Sequence, residues 1–67
     1  MFQGEVRWYD PALGVGLIGQ AGGPDLWVFA ESLADPEAGL APGDAVRYYV
    51  VFGPWGPEAA RVARVVA

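Results

Sequence analysis

The six residues Gly14-Val15-Gly16-Leu17-Ile18-Gly19 satisfy the pattern G-x-G-x-x-G, which in dinucleotide-binding folds cradles a pyrophosphate. That chemistry needs a helix directly after the glycines, because the free N–H groups and the dipole of its first turn hold the anion. Gln20-Ala21-Gly22-Gly23-Pro24-Asp25 follows instead, a run of turn formers with no apolar repeat of period 3.6 behind it. The glycines therefore belong to a strand, where glycine marks a bend or the close approach of another backbone. Other chemistry is equally short of parts. Without cysteine or histidine the chain has no disulfide framework, lacks the usual zinc ligands and lacks the commonest general base. No nucleophile–base pair or metal cluster can be assembled, so neither an enzymatic activity nor a cofactor is expected. The remaining resource is apolar and aromatic: three Trp, three Tyr and three Phe in 67 residues.

Short strands must position those rings. Prolines fall at Asp10-Pro11, Gly23-Pro24, Asp35-Pro36, Ala41-Pro42, Gly53-Pro54 and Gly56-Pro57, and β-favouring runs lie between them. Five strands are expected: Phe2 to Tyr9, Val15 to Gln20, Leu26 to Phe29, Ala45 to Phe52 and Ala59 to Val66. A long irregular segment runs from Glu31 to Pro42, with room for a single helical turn over Ala30 to Ala34. The whole chain, 1–67, makes one domain, near the lower limit for a core that folds without disulfides or metal. Strands this short and this closely spaced argue for a small barrel or sandwich, and closure removes exposed edges.

Composition bounds the setting. Eight acidic residues against four arginines, with no lysine, give a formal charge of -4, which opposes approach to a polyanion. The longest apolar runs, such as Tyr48 to Phe52, fall far short of the ~20 residues a membrane-spanning helix needs. The opening residues MFQGEVRW carry no apolar signal-peptide core, and a cysteine-free chain suits a reducing compartment. A soluble, cytoplasmic protein with no membrane contact is expected.

Strand alternation sorts the side chains into two sets. Ile18, Leu26 and Val28, with Val6, Val46, Val50 and Val62, are assigned to the interior, since small aliphatic residues fill a narrow barrel. Val15, Leu17, Trp27 and Phe29 then face outward, with Trp8 nearby. Aromatic side chains present ~150–250 Å² each, so this set exceeds the ~300–600 Å² typical of the largest apolar patch on a monomer. Such a patch has a partner. The competing register, with Trp27 and Phe29 inside, fills the interior less well.

Gly4-Glu5-Val6-Arg7-Trp8-Tyr9-Asp10 resembles G-x-V-K-W-F-N, the opening of the bacterial cold-shock domain. Leu13-Gly14-Val15-Gly16-Leu17-Ile18 resembles that family's K-G-F-G-F-I, and Asp25-Leu26-Trp27-Val28-Phe29-Ala30 its D-V-F-V-H-F. Gly56-Pro57-Glu58-Ala59-Ala60-Arg61-Val62 resembles G-P-Q-A-x-N-V, so the resemblance covers the whole chain in order. It implies an all-β, five-stranded antiparallel barrel of the oligonucleotide/oligosaccharide-binding (OB) fold. It also implies a surface that stacks bases of single-stranded RNA or DNA on aromatic rings, the work of an RNA chaperone. Several positions depart from the pattern. Val15 and Leu17 replace stacking Phe, Leu13 replaces Lys, Phe29-Ala30 replaces His-Phe, and Ala38 lies near a Phe usual in the long loop. Trp27, Phe29 and Trp55 compensate in part.

Carried onto this sequence, the resemblance implies a nucleic-acid site of Arg7, Trp8, Tyr9, Val15, Leu17, Trp27, Phe29 and Trp55. Trp8 would stack a base and Arg7 meet a phosphate or a ring face. The bland alternatives are that Trp8 packs on a loop, that Arg7 pairs with an acidic residue, and that Trp55 covers the barrel end. Arg47, Arg61 and Arg64 read as solvated surface, and Asp10, Asp25 and Glu31 as turn and cap residues. Weak, non-specific binding of single strands is the leading expectation. The rival is a protein-interaction or self-associating module, a homo-oligomer included, built on the same apolar face.

Overall fold

Each β-favouring run between prolines becomes a strand in the computed structural model, which describes residues 1–65. The order is β1 (Phe2–Asp10), β2 (Val15–Gly19), β3 (Leu26–Phe29), a 3-10 turn at Ala30–Ser32, β4 (Ala45–Gly53) and β5 (Gly56–Arg64). The strands close in the order β1-β2-β3-β5-β4, with β1 against β4 completing the barrel. Closure and strand number are as expected for the OB fold. One pairing differs from the antiparallel expectation: β3 meets β5 in parallel at Trp27↔Glu58, because the long connection after β3 brings the chain back reversed as β4 and the β4–β5 hairpin then turns β5 into the direction of β3. A parallel bridge Leu33↔Val62 extends that seam, and Ala34 N–H donates to the Val62 carbonyl at 2.8 Å.

β5 starts three residues before the expected Ala59. The reason is the tightness of the preceding hairpin: Gly53 pairs directly with Gly56, leaving only Pro54 and Trp55 in the loop, and Gly56 takes φ 107 to close it. The expected end of this strand at Val66 lies outside the described residues.

The interior holds Val6, Ile18, Leu26, Val28, Leu33, Val46, Tyr48, Ala59 and Val62. Val50, expected inside, only packs against this cluster and stays half-exposed, while Tyr48, not expected there, is fully buried. Val46, Tyr48 and Val50 share one face of β4, and the ring of Tyr48 fills space that aliphatic side chains would leave empty. Its hydroxyl donates to Gln20 Oε1 at 2.9 Å, with the Gln3 carbonyl at 3.3 Å. Phe2 stacks over it, ring centroids 6.1 Å apart. Burial raises the Tyr48 phenol above its ordinary pKa by disfavouring the phenolate.

Two bulges break the alternation, and both aim arginines outward. On β1 the register shifts between Val6 and Trp8, which makes Arg7 the extra residue. Strict alternation from buried Val6 would send Trp8 inward; the inserted residue turns it out. On β5, Tyr49 pairs with Ala60 and Arg47 with Ala63, so β5 carries one residue more than β4 over this stretch. Arg61 there has φ 51, the left-handed conformation that such bulges usually give to glycine.

Candidate nucleic-acid interface

The glycine motif is the hub of the site, in a role unrelated to phosphate cradling. Gly14 has φ 68 and ends the β1–β2 turn, in which the Asp10 carboxylate accepts N–H bonds from Ala12 at 2.9 Å and Leu13 at 3.3 Å. Gly16 is buried directly against the Trp8 carbonyl and the Tyr9 backbone, where a Cβ would collide, so β1 and β2 approach closely here. Gly19 leaves the space in which the Arg7 guanidinium lies. No helix follows the motif.

Between the glycines, Val15 and Leu17 face outward while Ile18 is buried. On β3, Trp27 and Phe29 face outward and Leu26 and Val28 are buried. Pairing then sets rows across three strands. Trp8 lies opposite Leu17, which lies opposite Trp27; Asp10 lies opposite Val15, which lies opposite Phe29. Leu13, Val15, Trp27, Phe29 and Trp55 line one groove of about 450 Å³. Trp8 is 40% exposed at its side, and Trp55, 72% exposed at the hairpin tip, forms its rim. Among the described residues the ring pair Phe2–Tyr48 lies elsewhere, so the rings of this face are not stacked on one another.

Seven of the eight expected site residues thus come to one side of the barrel. Tyr9 does not. Neighbouring residues of a strand point to opposite faces, so once the bulge turns Trp8 out, Tyr9 turns in, packs against the core and reaches toward Gly39. Leu13, outside the set that the resemblance implies, joins the groove. Its signal was the Asp10 turn, whose two N–H bonds hold Leu13 beside Val15.

The electrostatics of this face run against a polyanion. Arg7 meets Asp25 at 3.7 Å, so Asp25, expected as a turn residue, is an ion-pair partner. Both groups are about half exposed, and pairs of this kind contribute about 0–1 kcal/mol, so Arg7 can be drawn away by a ligand at small cost. Glu58 pairs with Trp27 across the parallel seam, and its carboxylate lies over Gly53, where no side chain competes for the space. The other three arginines lie on β4 and β5, away from the groove. No three acidic side chains among the described residues converge as a metal site would require, and no helix of the described residues is long and apolar enough to cross a membrane.

No family model matches the chain. Individual relatives do. Cold shock protein CspA of Staphylococcus aureus (strain USA300) is 38% identical over 66 residues, 97% of this chain and 100% of the relative. Cold shock-like protein CspC of Bacillus cereus is 34% identical over 64 residues, 94% of this chain and 98% of the relative. With likeness at that level over nearly the full length of both partners, and a closed five-stranded barrel beneath it, the chain belongs to the cold-shock protein family.

Proposed function

We propose that this chain binds single-stranded RNA or DNA on the outer face of β1, β2 and β3, weakly and with little sequence preference. It acts as a cytoplasmic RNA chaperone that keeps strands unpaired by stoichiometric contact, with no catalytic step. The observation that carries this reading is the row Trp8–Leu17–Trp27, in register across three strands and bordered by the groove under Trp55. Bases offer a flat π-face to such a surface whatever their sequence. If Trp8, Trp27 and Phe29 each stack one base at ~1–3 kcal/mol, the gross gain is roughly 3–9 kcal/mol, against about 8.2 kcal/mol for micromolar affinity. Val15 and Leu17 cover a base without stacking on it, which keeps the total low. With Arg7 the single cation of this face, one or two counterions are released and the salt dependence is shallow.

The test is a tryptophan fluorescence titration with oligo-dT and a matched RNA at low and moderate salt. Quenching that disappears in Trp8→Ala supports the reading; unchanged emission at high micromolar oligonucleotide refutes it.

A second reading is favoured by the composition of the groove, whose lining carries no charged side chain. On this reading the same face meets a protein, a second copy included. Self-association seen by analytical ultracentrifugation and lost in Leu17→Glu, with no oligonucleotide binding, would replace the first reading by this one.

A further inference from the structure

Three of the four arginines lie away from the aromatic groove. Arg47, Arg61 and Arg64, with Met1, Ala63 and Val65, line a groove of about 270 Å³ on the outer side of β4 and β5. Arg64 is committed locally, to Asp44 at 3.1 Å and the Gly39 carbonyl at 3.5 Å. Arg47 and Arg61 have no ion-pair partner among the described residues. Glu31 borders a neighbouring depression with Arg61 but lies beyond ion-pair distance. Arg61 projects from the β5 bulge at φ 51, a conformation that Gly or Asn adopts more cheaply, and local strain of this kind concentrates where a side chain must be aimed. Beside it Tyr49, 46% exposed, shares a shallow depression with Val51, Ala60 and Arg61. Arg47 and Tyr49 are two apart on β4 and exposed on the same face.

We propose that this β4–β5 face is a second contact surface for single-stranded nucleic acid, in which Arg47 and Arg61 hold backbone phosphates and Tyr49 offers a platform to a base. The proposal rests on the reading of the chain as a nucleic-acid-binding protein. A ring bracketed by two guanidinium groups that have no ion-pair partner among the described residues fits the alternation of base and phosphate along a strand. In a chain of net charge -4, Arg47 and Arg61 can meet phosphate charge with no ion pair of the described residues to break first, whereas Arg7 on the aromatic face must leave Asp25. The two faces complement each other: rings on β1–β3 supply stacking with Arg7 as their cation, and Arg47 and Arg61 on β4–β5 add further counterion release.

The experiment is an NMR titration with a dT oligonucleotide that follows the indole N–H signals of Trp8 and Trp27 and the Nε–H signals of Arg47 and Arg61. Salt dependence of binding is measured in parallel for the wild type and for Arg47→Gln/Arg61→Asn. Both sets of signals should move, and the slope of log K against log salt should become shallower by about 1.4 in the double variant, two contacts at ~0.7 each. Movement of the arginine signals alone supports the second surface while refuting the aromatic one. Movement of the indoles alone, with an unchanged slope, overturns the second surface and leaves the aromatic one standing. If inorganic phosphate or poly-glutamate at matched charge moves the arginine signals equally, the site binds anions in general and the proposal fails.

Discussion

The bulge on β5 makes a prediction whose sign is opposite to the usual one. Arg61 sits at φ 51, where an L-residue with a Cβ pays roughly 1–2 kcal/mol and glycine pays almost nothing. Replacing it by glycine also increases the freedom of the unfolded chain, which costs about 0.4–1 kcal/mol. The difference leaves Arg61→Gly more stable than Arg61→Ala by about 0.8 kcal/mol. Both variants remove the same charge and the same long side chain, so comparing them isolates the backbone. In an ordinary strand the order reverses, glycine being worse than alanine by about 0.5–1 kcal/mol. For a domain of this size, a gain of 0.8 kcal/mol corresponds to roughly 3–6 °C in Tm. Thermal unfolding followed by circular dichroism, repeated at high salt to screen the altered net charge, measures it. An Arg61→Ala protein as stable as Arg61→Gly, or more so, would mean that this residue is not held in the left-handed conformation.

Four further outcomes follow from the geometry. Gly16→Ala should destabilise by about 1–3 kcal/mol in urea unfolding, because its Cβ meets the Trp8 carbonyl and the close approach of β1 and β2 must open. Asp25→Asn should tighten oligonucleotide binding at low salt by releasing Arg7, with stability changed by less than about 1 kcal/mol, and the gain should vanish at high salt. Tyr48→Phe should cost about 0.5–1.5 kcal/mol by leaving Gln20 Oε1 without its donor. In the wild type the raised Tyr48 pKa adds stability that is fully present below pH ~10 and is lost as pH rises through the folded-state value, and Tyr48→Phe should remove that alkaline loss.

What could be read in advance depended on whether alternation ran unbroken. Ile18, Leu26 and Val28 against Val15, Leu17, Trp27 and Phe29 were assigned correctly because β2 and β3 pair in plain antiparallel register. The limits of β1 to β4 lie within one residue of those read from the prolines and glycines, whereas β5 begins three residues early. On β1 an inserted residue reverses the faces after Val6, so alternation counted from the core would have buried Trp8; the family resemblance placed it outward. The same resemblance groups Tyr9 with Trp8, although beyond the bulge the strand alternates regularly and Tyr9 packs inward against the core. Tyr48 was missed because filling the barrel with small aliphatic residues ignored the larger space that its ring occupies beside Phe2 and Gln20. The separation of Arg47 and Arg61 from the aromatic groove was invisible in the linear sequence. It is created by the parallel β3–β5 seam and by the second bulge.

The central claim is that rings on the outer face of β1–β3 receive bases, and a reporter within that face tests it most directly. A variant with Trp8→Phe and Trp55→Phe keeps Trp27 as its sole tryptophan, at the end of the row through Leu17. Titrated with oligo-dT while binding is followed independently by anisotropy of a labelled oligonucleotide, its emission should fall in step with complex formation. Trp27 emission that stays constant while the anisotropy shows the complex forming would contradict the account.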